Sequence, residues 1–232
     1  MSAADFTQRV RAQILVEEDR CWRSRTTWVL AGSMLVVAGL VAFAAKDRQA
    51  VFSGVAALRV FVVLLGVLSV TSEHHHGEVV WRYLIEPGRS VHVAAKAFTY
   101  AVIGMVLGAA SVAVGVVVTM LRLGAPANPG APKAVLGAVV GAALAGVLGV
   151  GIGAAVRNQT AAVVGTLVGV LLVEPLVAAL APAVSAYLPG AAAAAVAGGA
   201  AGATWIASAL TTVAYAAGAL AAGASAVERS DV

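Results

Sequence analysis

The residues best equipped for chemistry are three consecutive histidines, His74, His75 and His76, with Glu73 and Glu78 beside them. Imidazole and carboxylate groups are ordinary ligands of zinc. Successive residues of a helix point about 100° apart, so three adjacent histidines cannot all reach one ion from a regular helix. The spacing therefore favours a polar surface that docks another molecule, and we predict no metal site.

The sequence also shows no catalytic or nucleotide-binding motif in a suitable context. The remaining histidine, His92, lies outside the apolar runs, and the chain has no Gly-Lys pair for a phosphate-binding loop. The glycine-rich stretch 149–154 sits inside an apolar run rather than after a soluble strand, so it does not fit a dinucleotide turn. We expect no catalytic residues, and any ATP must be bound by another polypeptide.

The composition of the chain indicates the kind of protein that carries these polar residues. Hydrophobic residues make up 61% of the 232 and charged residues 11%, against about 25% charged in soluble domains. Mean hydropathy is +0.94. The small net charge of +4 is typical of membrane anchoring and does not suggest nucleic-acid binding. One cysteine, Cys21, excludes an intramolecular disulfide. We predict an all-α integral membrane protein.

Residues 1–27 precede the first apolar run and contain several arginines and acidic residues. This composition does not fit a cleaved secretory signal, so we expect the chain to start, uncleaved, in the cytoplasm. Phe6, Val10 and Ile14 recur at helical spacing, which predicts a helix lying on the membrane surface. A solvated helix that leads into the first span is an equal alternative.

Six apolar runs are long enough to cross a bilayer, for which about 20 residues are needed. They give one transmembrane domain over 28–232, with spans at 28–45, 50–70, 97–121, 134–156, 160–180 and 203–225. Prolines at 182 and 189 and the pair Gly198-Gly199 interrupt residues 183–202. We predict short interfacial or re-entrant helices there, on the outer side.

Six spans place both termini on one side of the membrane. If that side is the cytoplasm, the inner segments carry Arg9, Arg11, Arg20, Arg23, Arg25, Arg82, Arg89, Lys96, Arg157 and Arg229. The outer loops then carry the smaller set Lys46, Arg48, Arg122 and Lys133. This asymmetry agrees with the positive-inside rule and predicts a multi-pass plasma membrane protein with the histidine stretch in the cytoplasm.

Two charged residues interrupt the apolar runs. Arg59 either extends its side chain to the interface or faces a protein-lined interior. Glu174, followed by Pro175, either serves a function in the membrane or lies at the outer interface. Both are candidates for translocation or gating. Small residues also recur four apart at Gly104/Gly108, Gly137/Gly141 and Gly165/Gly169, a spacing that lets helices pack closely.

The chain resembles the permease subunit of short ABC-2 type transporters over nearly its whole length. Thr71-Ser72-Glu73-His74-His75-His76-Gly77 is similar to the family's T-G-E-x-x-H-G, with Ser72 in place of glycine and Glu78 where threonine is common. Other positions that match the family pattern are the basic segment 23–28, Leu84, Pro87, Arg89, Lys96, Arg157, Asn158, Gln159 and Glu174.

The resemblance implies a homodimer bound to two copies of an ABC ATPase, which would hold the ATP and magnesium. Residues 73–86 would form the cytoplasmic coupling helix that docks on this ATPase. Its docking residues would be Glu73, His74, His75, His76, Gly77, Glu78, Trp81 and Arg82. The implied activity is export of a small hydrophobic or amphipathic, lipid-like substrate.

Two other functions use the same spans. An ion-coupled secondary transporter would need several ionisable groups near the middle of the membrane, where this chain offers Arg59 and Glu174. A non-transporting scaffold or immunity protein would not need a coupling helix.

Overall fold

The computed structural model describes residues 3–45, 58–75, 89–124, 131–156, 158–198 and 203–229, and in these ranges every regular element is helical. The prediction of an all-α fold is therefore confirmed for them. The elements are α1 (Ala3–Arg23), α2 (Arg25–Ala44), α3 (Arg59–His75), α4 (Arg89–Leu123), α5 (Ala131–Val156), α6 (Gln159–Val168), a π-helical turn (Gly169–Val173), α7 (Glu174–Leu180), α8 (Pro182–Ser185), α9 (Pro189–Ala197) and α10 (Ala203–Glu228).

Within the described residues, five stretches are long and apolar enough to cross a membrane, namely Arg25–Ala44, Val91–Arg122, Pro132–Val156, Gln159–Leu180 and Thr204–Val227. This agrees with a multi-pass membrane protein and with five of the six predicted spans. The other predicted span, 50–70, lies partly outside the described residues, which resume at 58.

Two helices extend further into polar sequence than predicted. Helix α3 continues past residue 70 to His75, and α4 begins at Arg89 rather than near 97. The prediction stopped each helix where the apolar run stops. In the structure, charged side chains of these two extensions neutralise one another, so the helices continue without burying an unpaired charge.

Side-chain caps start two helices at the expected places. Ser24 separates α1 from α2, and its hydroxyl accepts a hydrogen bond from the Thr27 N–H. Asn158 caps α6, its carbonyl oxygen accepting from the Ala161 N–H at 2.9 Å. One helix therefore ends at Val156 and the next begins at Gln159, where the sequence predicted a break between two spans. Arg157 lies outside the described residues.

Helix α5 lies at the centre of the bundle, packed against α3, α4, α9 and α10. Small residues allow this packing. A Cβ at Gly104 would overlap the main chain at Ala142, and one at Gly137 would overlap the main chain at Val196. The stretch α6–α7, by contrast, lies at the edge, and Gly165 has no neighbour against it.

The segment before the last helix is broken, as predicted. Pro182 and Pro189 begin the short helices α8 and α9, where the missing N–H of a proline costs nothing. Helix α9 ends at Ala197, beside Gly198, and packs on α5 and α10. Residues 199–202 lie outside the described part, and the depth of this segment in a membrane stays a prediction.

Helix ends gather at two poles of the bundle. At the basal end, α1 lies beside the end of α3 and the start of α4, and Gln159 at the start of α6 borders the same region. At the distal end, Arg59 at the start of α3 lies beside Glu174 at the start of α7. Each pole thus holds an ion pair between two helices.

Candidate functional site

Five charged or titratable side chains form a basal cluster: Glu17, Arg20, Glu73, His92 and Lys96. They come from three helices, α1, α3 and α4. Glu17 and Glu73 are each 2% exposed and Lys96 is 1% exposed. Charges so completely buried are tolerated when each is paired and hydrogen-bonded, so the contacts within the cluster decide whether it is stable.

Lys96 lies at the centre of the cluster. Its Nζ donates to Glu17 Oε2 at 2.9 Å and to the Ser69 carbonyl oxygen at 3.0 Å, and it lies 3.0 Å from Glu73 Oε1. An ammonium group has three N–H donors. Each of them therefore has an acceptor, and a single side chain ties α4 to both α1 and α3.

Glu73 makes contacts on several sides. Besides Lys96, its carboxylate accepts a hydrogen bond from Arg20 and lies 3.1 Å from His92 Nε2. Helix α3 brings Glu73 to this position because the helix continues beyond its apolar run. Two turns earlier, the Val67 carbonyl accepts a hydrogen bond from the Thr71 hydroxyl, so the polar side chains of this stretch are satisfied internally.

Among the described residues, the basal cluster sets two carboxylates, Glu17 and Glu73, against two cations, Lys96 and Arg20. Removing Lys96 would take the ammonium partner from two buried carboxylates, which typically costs about 3–5 kcal/mol. The basal cluster therefore holds α1, α3 and α4 in one arrangement, and removing its central cation should lower the free energy of unfolding.

Glu17, Glu73 and His92 are close enough together to suggest a metal site, since their ligand atoms lie within 4.8 Å of one another. The Lys96 ammonium already lies against both carboxylates. A divalent cation there would meet this positive charge at contact distance. The three residues do not fit a resident metal while Lys96 is charged.

A small polar cavity of about 140 Å³ adjoins the cluster and is bordered by Glu17, Cys21, Ser69 and Tyr100. The Cys21 thiol is buried and lies 3.7 Å from the Thr27 hydroxyl. Burial raises the pKa of the Cys21 thiol, because the thiolate is poorly solvated there. The only cysteine of the chain is thus held in its neutral form on the buried face of α1.

The second charged site is the distal pair, Arg59 and Glu174. Arg59 Nη2 lies 3.9 Å from Glu174 Oε2, and the two side chains are 16% and 18% exposed. The Gly190 backbone also hydrogen-bonds to the Glu174 carboxylate, and a Cβ at residue 190 would overlap that carboxylate. Arg59 therefore faces a protein-lined interior, the second of the two expected alternatives, and Glu174 faces it as well.

An apolar cavity of about 450 Å³ opens beside the distal pair, between α3, α5, α6, α9 and α10. Both Arg59 and Glu174 line it. Gly165 and Gly169 also line it, and a Cβ built at either one would meet no described atom within 4 Å. The motif predicted helix packing, and in the structure it instead leaves room for a ligand.

The residues predicted for docking fall into two groups. His76, Gly77, Glu78, Trp81 and Arg82 lie outside the described residues, as do Leu84 and Pro87, and most of the predicted coupling helix 73–86 with them. His74 and His75 complete α3. Glu73 is 2% exposed, with its carboxylate turned into the basal cluster, so its predicted docking role has no support from its position and stays a prediction.

Among the residues that matched by resemblance, Lys96 belongs to the basal cluster. Arg89 begins α4, and Gln159 borders the small polar cavity. Sequence reasoning missed Glu17 and Arg20. The available signal was that Glu17 shares a helical face with Ile14 and Cys21, three before and four after it, so that a carboxylate stood in an otherwise apolar stripe.

Comparison with known proteins yields no matching family model and no matching curated protein.

Proposed function

We propose that this chain is the permease subunit of an ABC-2 type exporter, acting as a homodimer with two copies of a separate ATPase subunit. The proposal begins from the resemblance of residues 71–77 and the positions that follow. The observation that carries it furthest is the basal cluster, because it joins the two helices on either side of the polar stretch 76–88.

The basal cluster offers a route for transmitting motion. Glu73 lies near the end of α3 and Lys96 near the start of α4, and their contact of 3.0 Å closes the base of the segment between them. Glu17 links α1 to the same ammonium at 2.9 Å. A partner that displaced residues 76–88 would therefore move α1, α3 and α4 together.

In this mechanism the ATPase binds and hydrolyses ATP, and nucleotide favours one arrangement of the helices because its contacts differ between the two states. The permease supplies no catalytic group. Its residues Glu78, Trp81 and Arg82 dock on the partner, whereas Glu73, Lys96, Glu17 and Arg20 position the docking stretch. In this proposal, both termini and the docking stretch lie on the cytoplasmic side of the plasma membrane.

The distal pair favours this function over an ion-coupled transporter. Arg59 and Glu174 lie beside each other, so their charges largely cancel. A coupling ion would need a carboxylate whose negative charge is available to it. The apolar cavity beside the pair instead suits a hydrophobic or amphipathic substrate.

Docking is tested by co-purification with the ATPase encoded nearest to this chain's gene. Reversing the charges of the docking stretch, with Glu78→Lys and Arg82→Glu together, should abolish co-purification and the permease's effect on ATP hydrolysis. Lys133→Glu is the matched control, because Lys133 is exposed at the start of α5. Glu73 is not a suitable target, since its reversal would break the basal cluster.

If the double variant still binds the ATPase as the wild type does, residues 76–88 are not the docking stretch. If no ATPase co-purifies with the wild-type chain, the proposed function is wrong.

A further inference from the structure

The cavity beside the distal pair is long for its volume. Its lining runs along α6 and the π turn from Ala161 to Glu174, and along α5 from Gly141 to Val156. Thirteen residue steps at 1.5 Å correspond to about 20 Å, roughly twice the diameter of a sphere that holds 450 Å³. An elongated ligand fits this shape, and the volume lies in the range of small-molecule sites.

The long walls of the cavity are apolar. Val60, Leu144, Leu148, Ile152 and Val170 supply much of the lining. Carbon atoms packed against these side chains lose contact with water at no polar cost. The Thr166 hydroxyl, which also lines the cavity, is a local exception, because it is buried with no hydrogen-bond partner among the described residues. The body of the ligand is therefore a hydrocarbon or similarly apolar group.

One end of the cavity is charged and the rest is not. Arg59 and Glu174 are the charged side chains among the described residues that line it, and they have opposite signs and lie 3.9 Å apart. A ligand head with only one sign of charge is attracted by one of them and repelled by the other. A head that carries one positive and one negative group can place each against the side chain of opposite sign.

We infer that the distal cavity binds a zwitterionic amphiphile, with its apolar body between α5 and α6 and its head against Arg59 and Glu174. The described lining belongs to one chain, and the proposed contacts include no residue of an ATPase. The inference is consequently independent of the proposed function and can be tested on the purified chain alone.

Such an amphiphile can come from two sources, the phospholipid of the surrounding bilayer or a free single-chain molecule. The shared chemistry is the zwitterionic head on an apolar body. The two sources differ in exchange, because a bilayer lipid held by the site stays bound through purification, whereas a free amphiphile equilibrates with the solution.

The experiment is native mass spectrometry of the full chain in a nonionic detergent, titrated with lysophosphatidylcholine. Lysophosphatidylglycerol and an alkyltrimethylammonium salt of equal chain length serve as the anionic and cationic comparisons. We expect one molecule of lysophosphatidylcholine per chain, bound at least about tenfold more tightly than either comparison, a difference that charge complementarity readily supplies.

A cavity-filling variant locates the site. No heavy atom lies within 4 Å of a Cβ built at Gly165, which lines the cavity, so Gly165→Leu should fill the space and abolish binding without a steric clash. Gly218→Leu is the matched control, because Gly218 also has open space around its Cβ but lies on α10 outside the cavity lining. It should bind as the wild type does.

A second variant tests the head. Arg59→Gln combined with Glu174→Gln should reduce the preference among the three heads to less than about threefold, while the apolar body still binds. Unchanged binding in Gly165→Leu, or equal or tighter binding of either singly charged amphiphile, would overturn the inference. If purified wild-type chain already carries a phospholipid that added lysophosphatidylcholine does not displace, the occupant comes from the bilayer; if it exchanges, the occupant is the free molecule.

Discussion

The basal cluster and the distal pair are both buried sets of opposite charges, yet they are built differently. In the basal cluster, Lys96 contacts two carboxylates and a carbonyl at 2.9–3.0 Å, and its side chain is 1% exposed. In the distal pair, Arg59 and Glu174 stand 3.9 Å apart and are 16% and 18% exposed beside a cavity. The first arrangement fixes helices to one another, and the second leaves charged groups within reach of a ligand.

The largest effect should come from removing the central cation of the basal cluster. Lys96→Met leaves Glu17 and Glu73 buried without their ammonium partner, so we expect a loss of about 3–5 kcal/mol in the free energy of unfolding. The thermal midpoint followed by size-exclusion chromatography should fall steeply, while the exposed control Lys133→Met should change little. An equally large loss in Arg59→Met would show that the two charged sites do not differ as described.

Double-mutant cycles compare the two sites directly. The cycle of Glu17→Gln with Lys96→Met should give a coupling energy of about 2–3 kcal/mol, because the pair is in contact and enclosed. The cycle of Glu174→Gln with Arg59→Met should give about 0.5–1 kcal/mol, because the pair is longer and partly exposed. Chemical unfolding in detergent measures both cycles, and a larger coupling at the distal pair would reverse the comparison.

A third test asks whether the basal cluster holds α1 in place. Cys21 is the native reporter, because burial keeps its pKa raised and its thiolate, the reactive form, scarce at neutral pH. Lys96→Met should loosen α1 and expose the thiol, whereas loss of the Lys96 charge by itself would raise the Cys21 pKa further and slow the reaction, so faster labelling reports movement of α1. Maleimide labelling at about pH 7.5 should then accelerate by roughly tenfold.

Glu18→Gln is the control for this labelling experiment, since Glu18 is the exposed neighbour of Glu17 on the same helix. It should label as slowly as the wild type. Equal acceleration in both variants would mean that the cluster does not hold α1 against the bundle.

The smallest effect is expected at Gly190. A Cβ there would meet the ends of the Glu174 and Arg59 side chains, which can turn aside, so Gly190→Ala should cost about 1 kcal/mol or less. At Gly146 the Cβ would meet the main chain at Tyr100, which cannot turn aside, and Gly146→Ala should cost about 2 kcal/mol or more. Thermal midpoints of the two variants provide the measurement, and equal losses would mean that the distal pair is as rigid as the packed helices.

The sequence predicted the helices well where apolar runs and prolines decide the outcome. The stretches Arg25–Ala44, Pro132–Val156 and Gln159–Leu180 follow directly from run length, and the breaks at Pro182 and Pro189 follow from proline chemistry. The sequence did not predict the basal cluster, because its partners lie on three helices and up to 79 positions apart. No local pattern reports such a pairing.

The neighbours of Glu73 in the sequence did not predict its burial. Its place beside three histidines suggested an exposed docking surface. In the structure, Glu73 lies on the side of α3 that faces Lys96, and its side chain is buried there. Arg59 and Glu174 were each recognised as unusual, but their mutual contact depends on how α3 and α7 pack. Their charge made these residues candidates in the sequence, but only the packing of the helices shows which side chains they contact.

The π-helical turn Gly169–Val173 determines which way Glu174 points. A π turn holds one residue more than an α turn, and a residue of an α-helix advances the azimuth by about 100°. If the same residues wound as regular α-helix, Glu174 would advance by about 100° and turn away from the cavity. The extra residue held in this turn thus sets the direction of the carboxylate, whereas deleting one residue together with the π turn would leave Glu174 facing about the same way.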